Sequence, residues 1–547
     1  MNKKIDPVTV EVIRNAFDSI AEQMNNNLAR SAYTPIIYEM KDCSVGLFNE
    51  TGELLGQSPG LPIFLGALEF AISATTEQIG GWEFYKQGDV FAINDSYLVG
   101  SHLNDVSIFA PIFFEDELIG FGASKAHWLD IGAKDPGQAM DSTSIYQEGY
   151  RIGPTKLYSE GVAQKDTLNF LTRNSRLPRS VWGDMHAQIA ASKTGEIQLI
   201  ELYKKFGKEV INEAKKEIWR QCEELDKDAV SKIPDGEYKS EGELDSWGPG
   251  GNPVPVKLKI TVAGDQMVLD LRGSSPQTPG SVNCGFAQTV SAAKLAFKFI
   301  INPEIPATAG TFRNLKILTD KGSVFHAEEP AACQFYFPHL GLMIDLFLKA
   351  ISAGIPEQVV AGQPSDSMNI LFVGVSPKDG KQFFTGEATA VGWGAFSGGD
   401  GGNAQICYGG GDLKNYPVEV YESRYPIRIL KYALGINTSG NGEFRGGLGV
   451  EREYEVLSEV TTVSLWFERT RTAPWGLKGG GAAVPSKVTI TDDGKKKVIL
   501  KVNGLKITKG SKVLIQTGGG GGFGPPNKRN SDSLKNDLID GYITNTT

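Results

Sequence analysis

The sequence predicts a multi-domain α+β protein that is rich in strands and glycine and carries several long helices. Glycine contributes 65 of 547 residues, about 12% where ~7% is usual, and it shows no collagen period. Apolar residues recur with helical spacing in some stretches and alternate with polar residues in others. The length suggests roughly three or four domains. We place an N-terminal α+β domain at 1–232, a central α+β domain at 233–430, and a β-rich domain with a polar tail at 431–547.

The predicted N-terminal domain opens with a capped helix. Asp6 precedes Pro7, a pair typical of an N-cap and a first helical turn. The apolar residues that follow form one stripe at intervals of three and four: Ile13, Phe17, Ile20, Met24 and Leu28. A strand at 45–48 and a polar turn at 49–53 indicate a hairpin. Helices are predicted at 62–79, 184–207 and 210–225.

The remaining two domains are predicted to contain more strands. Strict alternation at 254–260 resumes at 267–271 after a glycine turn, which indicates a β-hairpin. Helices are predicted at 290–301 and 340–351, and strands from about 311 to 327. The last third of the chain is predicted to consist of strands and glycine loops. There, the runs at 488–490 and 498–502 are expected to pair, and 512–516 adds a strand.

Composition argues against several classes of protein. The net charge of −9 and the lack of a lysine or arginine cluster disfavour a nucleic-acid-binding protein. No apolar run reaches the ~18 residues of a membrane span, and the N-terminus lacks the apolar segment of a signal peptide. Five scattered cysteines without a C-x-x-C pair predict free thiols in a reducing compartment. We therefore expect a cytoplasmic protein.

Residues 94–132 hold the strongest candidate site. They contain His102 and His127, two of only five histidines in the chain. Short apolar runs at 106–114 and 118–124 predict a β-hairpin that brings the two histidines side by side. Asp105 and Asp130 lie in the same stretch. Imidazole and carboxylate ligands together suit Mn, Fe or Zn, and the alternative is that these are ordinary loop and core histidines.

Two further carboxylates are candidates. Asp42 lies just before a predicted strand and is either an additional metal ligand or a turn-capping residue. Glu148 is a candidate general base, a residue that supports the metal ligands, or a member of a structural salt bridge. The chain has no G-x-x-x-x-G-K-[ST] motif, so any ATP in the reaction is expected to be bound by another chain.

Seven separated segments carry a family resemblance. They include Asn-Asp…His-Leu-x-Asp at 94–105, His-x-x-Asp-Ile-Gly at 127–132, and Gln-Glu-Gly…Lys-Leu at 147–157. The others are Gly-Asp-x-x-Ala-Gln at 183–188, Phe-Arg-Gly-Gly-x-Gly at 444–449, Pro-Trp-Gly-Leu-x-Gly-Gly at 474–480, and the glycine run at 517–525. Over nearly its full length the chain resembles the hydantoinase B/oxoprolinase family.

The resemblance implies an enzyme subunit. Such proteins pair with a hydantoinase A-type ATPase, and we expect a hetero-oligomer such as (AB)2. ATP held by the partner would phosphorylate the carbonyl oxygen of a hydantoin or other lactam. This chain would then supply water activated by a divalent metal ion (Mn, Zn or Fe) for attack on the activated carbon. The resemblance places the metal on His102, Asp105 and His127 with Asp42 close by.

Several alternatives stay open at this stage. Either Glu148 or Asp130 would accept the proton from the attacking water. The alternative function is that of the metal subunit of an acetone- or acetophenone-type carboxylase, which joins a phosphoenol to activated bicarbonate. A third function, that of a scaffold subunit without catalysis, is disfavoured by the intact histidines and aspartate. At this length, a separate B-type subunit is expected rather than a fused oxoprolinase.

Overall fold

The computed structural model describes residues 5–58 and 60–544, so the ends of the predicted first and last domains, at 1–4 and 545–547, lie outside the described residues. Four sheets and eleven α-helices are present in the described part of the chain. The predicted α+β class is confirmed. None of the helices there combines the length and apolar character needed to cross a membrane.

The first part of the chain builds a seven-stranded antiparallel sheet with three long helices. Its elements are α1 (Pro7–Ser31), α2 (Pro35–Tyr38), β1 (Cys43–Asn49), β2 (Leu54–Ser58), α3 (Leu65–Ile79), β3 (Val90–Ile93), α4 (Ser96–Val99), β4 (Asp105–Phe114), β5 (Glu117–His127), β6 (Thr155–Ser159), β7 (Val162–Ala163), α5 (Lys165–Arg173), α6 (Pro178–Phe206) and α7 (Lys208–Ser231). The strand order is β2-β1-β5-β4-β3-β6-β7.

Helix α1 forms where its cap and its apolar stripe predict. The Asp6 carboxylate accepts a hydrogen bond from the Thr9 amide at 3.1 Å, which satisfies one of the free N–H groups at the helix start. All five residues of the predicted stripe are buried, and α1 packs against α6 and β2. The predicted hairpin at 106–124 is also correct, since β4 and β5 pair along their length.

The second part of the chain forms a smaller sheet covered by two helices. Its elements are β8 (Gly236–Leu244), β9 (Val254–Ala263), β10 (Gln266–Asp270), α8 (Phe286–Lys298), β11 (Leu315–Leu318) and α9 (Phe337–Ile351). The strand order is β11-β10-β9-β8, and only the β10–β11 pair is parallel. The predicted run of strands to residue 327 is wrong beyond Leu318, because residues 319–327 form turns and isolated bridges.

The last part of the chain contributes two more sheets. Its elements are β12 (Asn369–Val375), β13 (Gln382–Glu387), α10 (Val418–Arg424), β14 (Ile427–Leu434), β15 (Val450–Val456), β16 (Val460–Trp466), β17 (Lys487–Asp492), β18 (Lys495–Val498), β19 (Lys501–Thr508), β20 (Lys512–Gln516) and α11 (Ser531–Ile539). The strand orders are β13-β12-β16-β19 and β14-β15-β20-β17-β18. The two sheets share one hydrophobic core, which contains Phe372 and Val463 of the first and Tyr454 of the second.

Three details differ from the prediction for this last part. Residues 418–424 and 531–539 are helical, although only strands and loops were expected. The run at 498–502 is divided between two sheets, because β18 pairs with β17 whereas β19 pairs with β16. Strand β14 crosses the predicted domain limit at 430/431. The division into three domains stays a prediction.

Glycine-rich segments cross one another at backbone distance beside these sheets. A Cβ atom added at Gly520 would lie 1.8 Å from the carbonyl oxygen of Trp393, and one at Gly446 would lie 1.8 Å from the oxygen of Gly520. The segments exchange main-chain hydrogen bonds, for example from Gly520 N to the Gly447 oxygen at 2.9 Å. Only glycine permits backbones to approach so closely, which accounts for the unusual composition.

Candidate metal centre

One turn and one hairpin bring His102, Asp105 and His127 together. His102 follows α4, and the Asp105 amide donates to its carbonyl at 3.1 Å. Asp105 begins β4 and is the cross-strand partner of His127 at the end of β5. Since residues directly opposite on antiparallel strands lie within contact distance, the register of this hairpin determines the site.

The three side chains present a compact, buried set of donor atoms. Asp105 Oδ1 lies 2.8 Å from His102 Nε2 and 3.1 Å from His127 Nδ1. The two ring nitrogens are 3.2 Å apart. All three residues are buried, and one donor atom from each lies within 4.8 Å of the others. The structure therefore brings together three of the four predicted ligands.

Asp42 lies beside this group. Its carbonyl oxygen accepts a hydrogen bond from the His127 amide at 3.1 Å, and its side chain lines the same cavity as the three other residues. Its Oδ1, like Oδ2 of Asp105, is buried without a hydrogen-bond partner among the described residues. Buried polar atoms are seldom left unpaired, so these two oxygens are candidates for binding a cation.

The electrostatics of the group favour a charged Asp105. Burial alone would raise the pKa of Asp105, but the neighbouring His102 and His127 outweigh it and hold the pKa below its ordinary value. The pKa of Asp42 is raised to about 7, mainly because of burial, with His127 lowering it and Asp105 raising it. Two imidazoles and carboxylate oxygens are a donor set that Mn, Fe and Zn accept. The residues present therefore fit a divalent cation.

The cavity in front of these residues is narrow and mostly apolar. The space that the centre of a water molecule can reach is about 100 Å³. Its apolar wall comes from all three parts of the chain: Ile36, Met40, Leu61, Leu129, Met140, Phe335, Phe337, Ile370, Leu371 and Leu413. The lining also includes six residues with polar side chains besides the candidate ligands: Gln138, Gln334, Tyr336, Ser367, Asn369 and Glu387. Such a site admits a small, largely apolar molecule.

The two predicted catalytic carboxylates lie elsewhere. Both Asp130 oxygens accept hydrogen bonds, among them two from Arg176 at 2.6 and 2.8 Å. The Glu148 carboxylate accepts hydrogen bonds from the Ser142 hydroxyl and from two consecutive main-chain amides. Both residues are fully buried, and neither is among the residues that line the cavity. The structure does not bring them to the candidate ligands.

Sequence reasoning missed Gln334 and Tyr336. Gln334 contacts the His102 ring, with its carbonyl oxygen 3.0 Å from Nδ1, and Tyr336 packs edge-on against the same ring. The available signal was the unusual run Gln-Phe-Tyr-Phe-Pro-His at 334–339 before a helix. His339 in that run is buried against Cys284, 3.3 Å from its sulfur, and burial lowers its pKa to about 3.

Comparison with known proteins identifies the same family as the sequence motifs. The sequence model of the family described as hydantoinase B/oxoprolinase matches residues 6–526. A putative D-/L-hydantoinase subunit from Pseudomonas sp. (strain NS671) is 32% identical, and the alignment covers 99% of this chain and 94% of that protein. These matches agree with the resemblance seen in the sequence motifs.

Two solved structures are similar in fold. The crystal structure of an ATP-dependent caprolactamase from Pseudomonas jessenii superposes with a TM-score of 0.92 at 26% identity, over 99% of this chain and 95% of that one. A nucleotide-free structure of acetone carboxylase superposes with a TM-score of 0.87 at 20% identity, over 98% of this chain and 78% of that one. At that identity, the second comparison shows the fold alone.

Proposed function

The chain belongs to the hydantoinase B/oxoprolinase family, and we propose that it is the metal-binding subunit of an ATP-dependent cyclic amide hydrolase. The observation that carries the proposal is the convergence of His102, Asp105 and His127 at the end of a small apolar cavity. The names of its relatives support the substrate class, since one is a putative hydantoinase component and another an ATP-dependent caprolactamase.

The candidate ligands would hold a divalent cation through one nitrogen of each histidine and the Asp105 carboxylate, with Asp42 as the fourth ligand. When bound, such an ion lowers the pKa of water and polarises a carbonyl oxygen. Mn, Zn or Fe fits the donor set. Asp105 keeps its negative charge over the physiological range because its pKa is lowered, so it offers a charged oxygen without first losing a proton.

The cavity wall would bind and shield the ring of the substrate. Ile370, Leu371 and Met140 offer contacts to ring methylene groups and limit the access of bulk water. An amide resists hydrolysis because resonance stabilises its carbonyl carbon, so prior phosphorylation of the oxygen creates the leaving group. We propose that a hydantoinase A-type partner binds ATP and performs that step, and that the two proteins form a hetero-oligomer such as (AB)2 in the cytoplasm. The five buried free cysteines are compatible with that compartment.

The proposal is tested by measuring substrate-dependent ADP release from this chain purified with its ATPase partner. Hydantoins, simple lactams and ketones with bicarbonate are offered in parallel. We expect ADP release with a hydantoin or lactam and no response to bicarbonate. Release that requires a ketone and bicarbonate would replace the proposal with the carboxylase alternative.

A pair of histidine variants controls this experiment. His127→Ala removes a candidate ligand, whereas His186→Ala removes a histidine of α6 that contacts Trp182 and Tyr158. We expect the first variant to abolish product formation and the second to retain it. Equal activity of both variants would contradict the role of His127.

A further inference from the structure

Residues 330–334 form a strap without helix or strand that leads into the candidate metal centre. Other segments hold its main chain at nearly every residue. The Ile145 amide donates to the Pro330 carbonyl at 3.1 Å, and the Tyr97 hydroxyl donates to that of Ala331 at 2.7 Å. The side-chain amide of Asn283 donates to the Ala332 carbonyl at 2.8 Å. The path of this strap is therefore determined by groups distant in sequence.

Glu148 holds the end of the strap that faces His102. Its Oε1 accepts from the main-chain amides of Cys333 at 2.9 Å and Gln334 at 2.8 Å, and also from the Ser142 hydroxyl. The side chain is fully buried. Burial raises the pKa of Glu148 to about 8, and these three donors lower it only in part. A buried acid with such a donor set is oriented for holding amides and not for contact with a substrate.

Gln334 transmits this constraint to the candidate ligand. Its main-chain carbonyl oxygen lies 3.0 Å from His102 Nδ1. Its side-chain amide nitrogen lies 3.1 Å from the same ring nitrogen and donates to Asn104 Oδ1 at 3.2 Å, which is the acceptor it keeps when Nδ1 carries a proton. A cation bound at Nε2 requires the ring proton on Nδ1, and a carbonyl is the acceptor that such a proton needs. On the other side of the ring, Nε2 points to Asp105.

We propose that Glu148 is a positioning residue for the metal centre. It fixes Cys333 and Gln334 so that the Gln334 carbonyl orients the imidazole of His102, and it exchanges no proton with the substrate. This inference rests on the proposed function, because it presumes that His102 binds a metal ion.

The test compares two buried carboxylates that have matching donor sets. Asp184 accepts from the amides of Tyr33 and Thr34 at 2.7 and 3.1 Å and from the Thr34 hydroxyl at 2.6 Å, so Asp184→Asn disturbs the fold in the same manner as Glu148→Gln. Binding of Co²⁺ to the full chain is followed by equilibrium dialysis and by its visible absorption spectrum. Glutamine places an N–H2 group where Glu148 Oε2 accepts from the Cys333 amide at 3.0 Å. We therefore expect Glu148→Gln to weaken Co²⁺ binding about 10–100-fold and to alter the spectrum, and Asp184→Asn to leave both unchanged.

Activity with the ATPase partner separates positioning from proton transfer. A positioning role predicts that saturating metal restores most of the activity of Glu148→Gln and leaves the shape of its pH profile intact. The inference would be overturned if Glu148→Gln were inactive when saturated with metal. It would also be overturned if the acidic or the basic side of its pH–activity profile disappeared. Equal Co²⁺ affinity and spectrum in Glu148→Gln and Asp184→Asn would overturn it as well.

Two further outcomes are distinct. If the wild-type chain binds no divalent ion, the proposed function itself fails. If Glu148→Gln does not fold, Ser142→Ala tests the inference in its place. This variant removes one donor from the Glu148 carboxylate and leaves the hydrogen bonds from the Cys333 and Gln334 amides. A several-fold loss of Co²⁺ affinity in Ser142→Ala supports the inference, and an affinity within about twofold of the wild type overturns it.

Discussion

Replacing Asp105 by asparagine tests the candidate metal centre most directly. Asparagine keeps the shape of the side chain but removes the charge that lies between His102 and His127. Structural zinc sites of four ligands contribute about 10–16 kcal/mol, so one ligand accounts for roughly 2.5–4 kcal/mol. We therefore expect Asp105→Asn to raise the dissociation constant of the ion on the order of 100-fold.

The assay is metal-dependent stability together with metal content after dialysis. At a free metal concentration 100 times its dissociation constant, the ion stabilises the wild-type chain by about 2.7 kcal/mol, whereas a 100-fold weaker variant gains only about 0.4 kcal/mol. Asp89→Asn is the matched control, since Asp89 is a buried aspartate that accepts from the Lys86 and Glu160 amides. Equal metal content in Asp105→Asn and the wild type would refute the assignment, as would a wild-type chain whose unfolding does not respond to divalent ions.

Three predictions concern the fold. Gly520→Ala should destabilise the chain by at least about 3 kcal/mol or prevent folding, because its Cβ would lie 1.8 Å from a carbonyl oxygen. Gly153→Ala, where nothing lies within 4 Å, should be tolerated in the same solubility and denaturant assay. Burial raises the pKa of Asp18 to about 6 from 3.8, so its stabilising contribution is complete below about pH 4 and is lost as the pH rises through 6. Asp18→Asn should therefore exceed the wild type in stability by about 1–2 kcal/mol at pH 8 and not at pH 4, allowing for partial exposure. Arg452→Met should cost about 3–5 kcal/mol because it leaves the buried Glu387 carboxylate without its guanidinium at 2.9 Å. The double variant with Glu387→Gln should recover much of that loss, and additive losses in chemical denaturation would contradict the coupling.

The parts of the fold that follow a simple period could be predicted. The stripe of α1 and the alternation of β9 depend on neighbouring residues, and both elements form as expected. Residues 418–424 could not be predicted in this way, because glycine loops and strands surround a short helix with no long stripe of its own. The division of 498–502 between two sheets depends on pairing with β16, about forty residues earlier in the sequence.

The same distinction between local pattern and long-range contact applies to the candidate site. Asp105 and His127 belong to one hairpin, so the sequence predicts that this region folds back on itself, and the structure adds the register in which the two residues are opposite each other. Gln334 could not be found, because 232 positions separate it from His102 and only tertiary folding joins them. The proton-accepting role of Asp130 stays a prediction, and for Glu148 we propose a positioning role in its place. Both carboxylates already accept hydrogen bonds from protein donors. A sequence shows that a carboxylate is present and does not show which donors already occupy it.

The distribution of the site over the chain has a consequence for its chemistry. Asp105 and His127 lie on strands of the first sheet and His102 in the turn before β4, whereas Gln334 comes from the segment before α9 and the cavity wall at Ile370 from β12. Substitutions at Ile370 or Leu371 of β12 can therefore change the shape of the cavity without moving the ligands, because this part of the wall belongs to a different sheet. If the proposed function is right, the same candidate ligands can be combined with cavities of different shape. We accordingly expect substitutions of the wall residues of β12 and α9 to change substrate preference more than substitutions of the candidate ligands do.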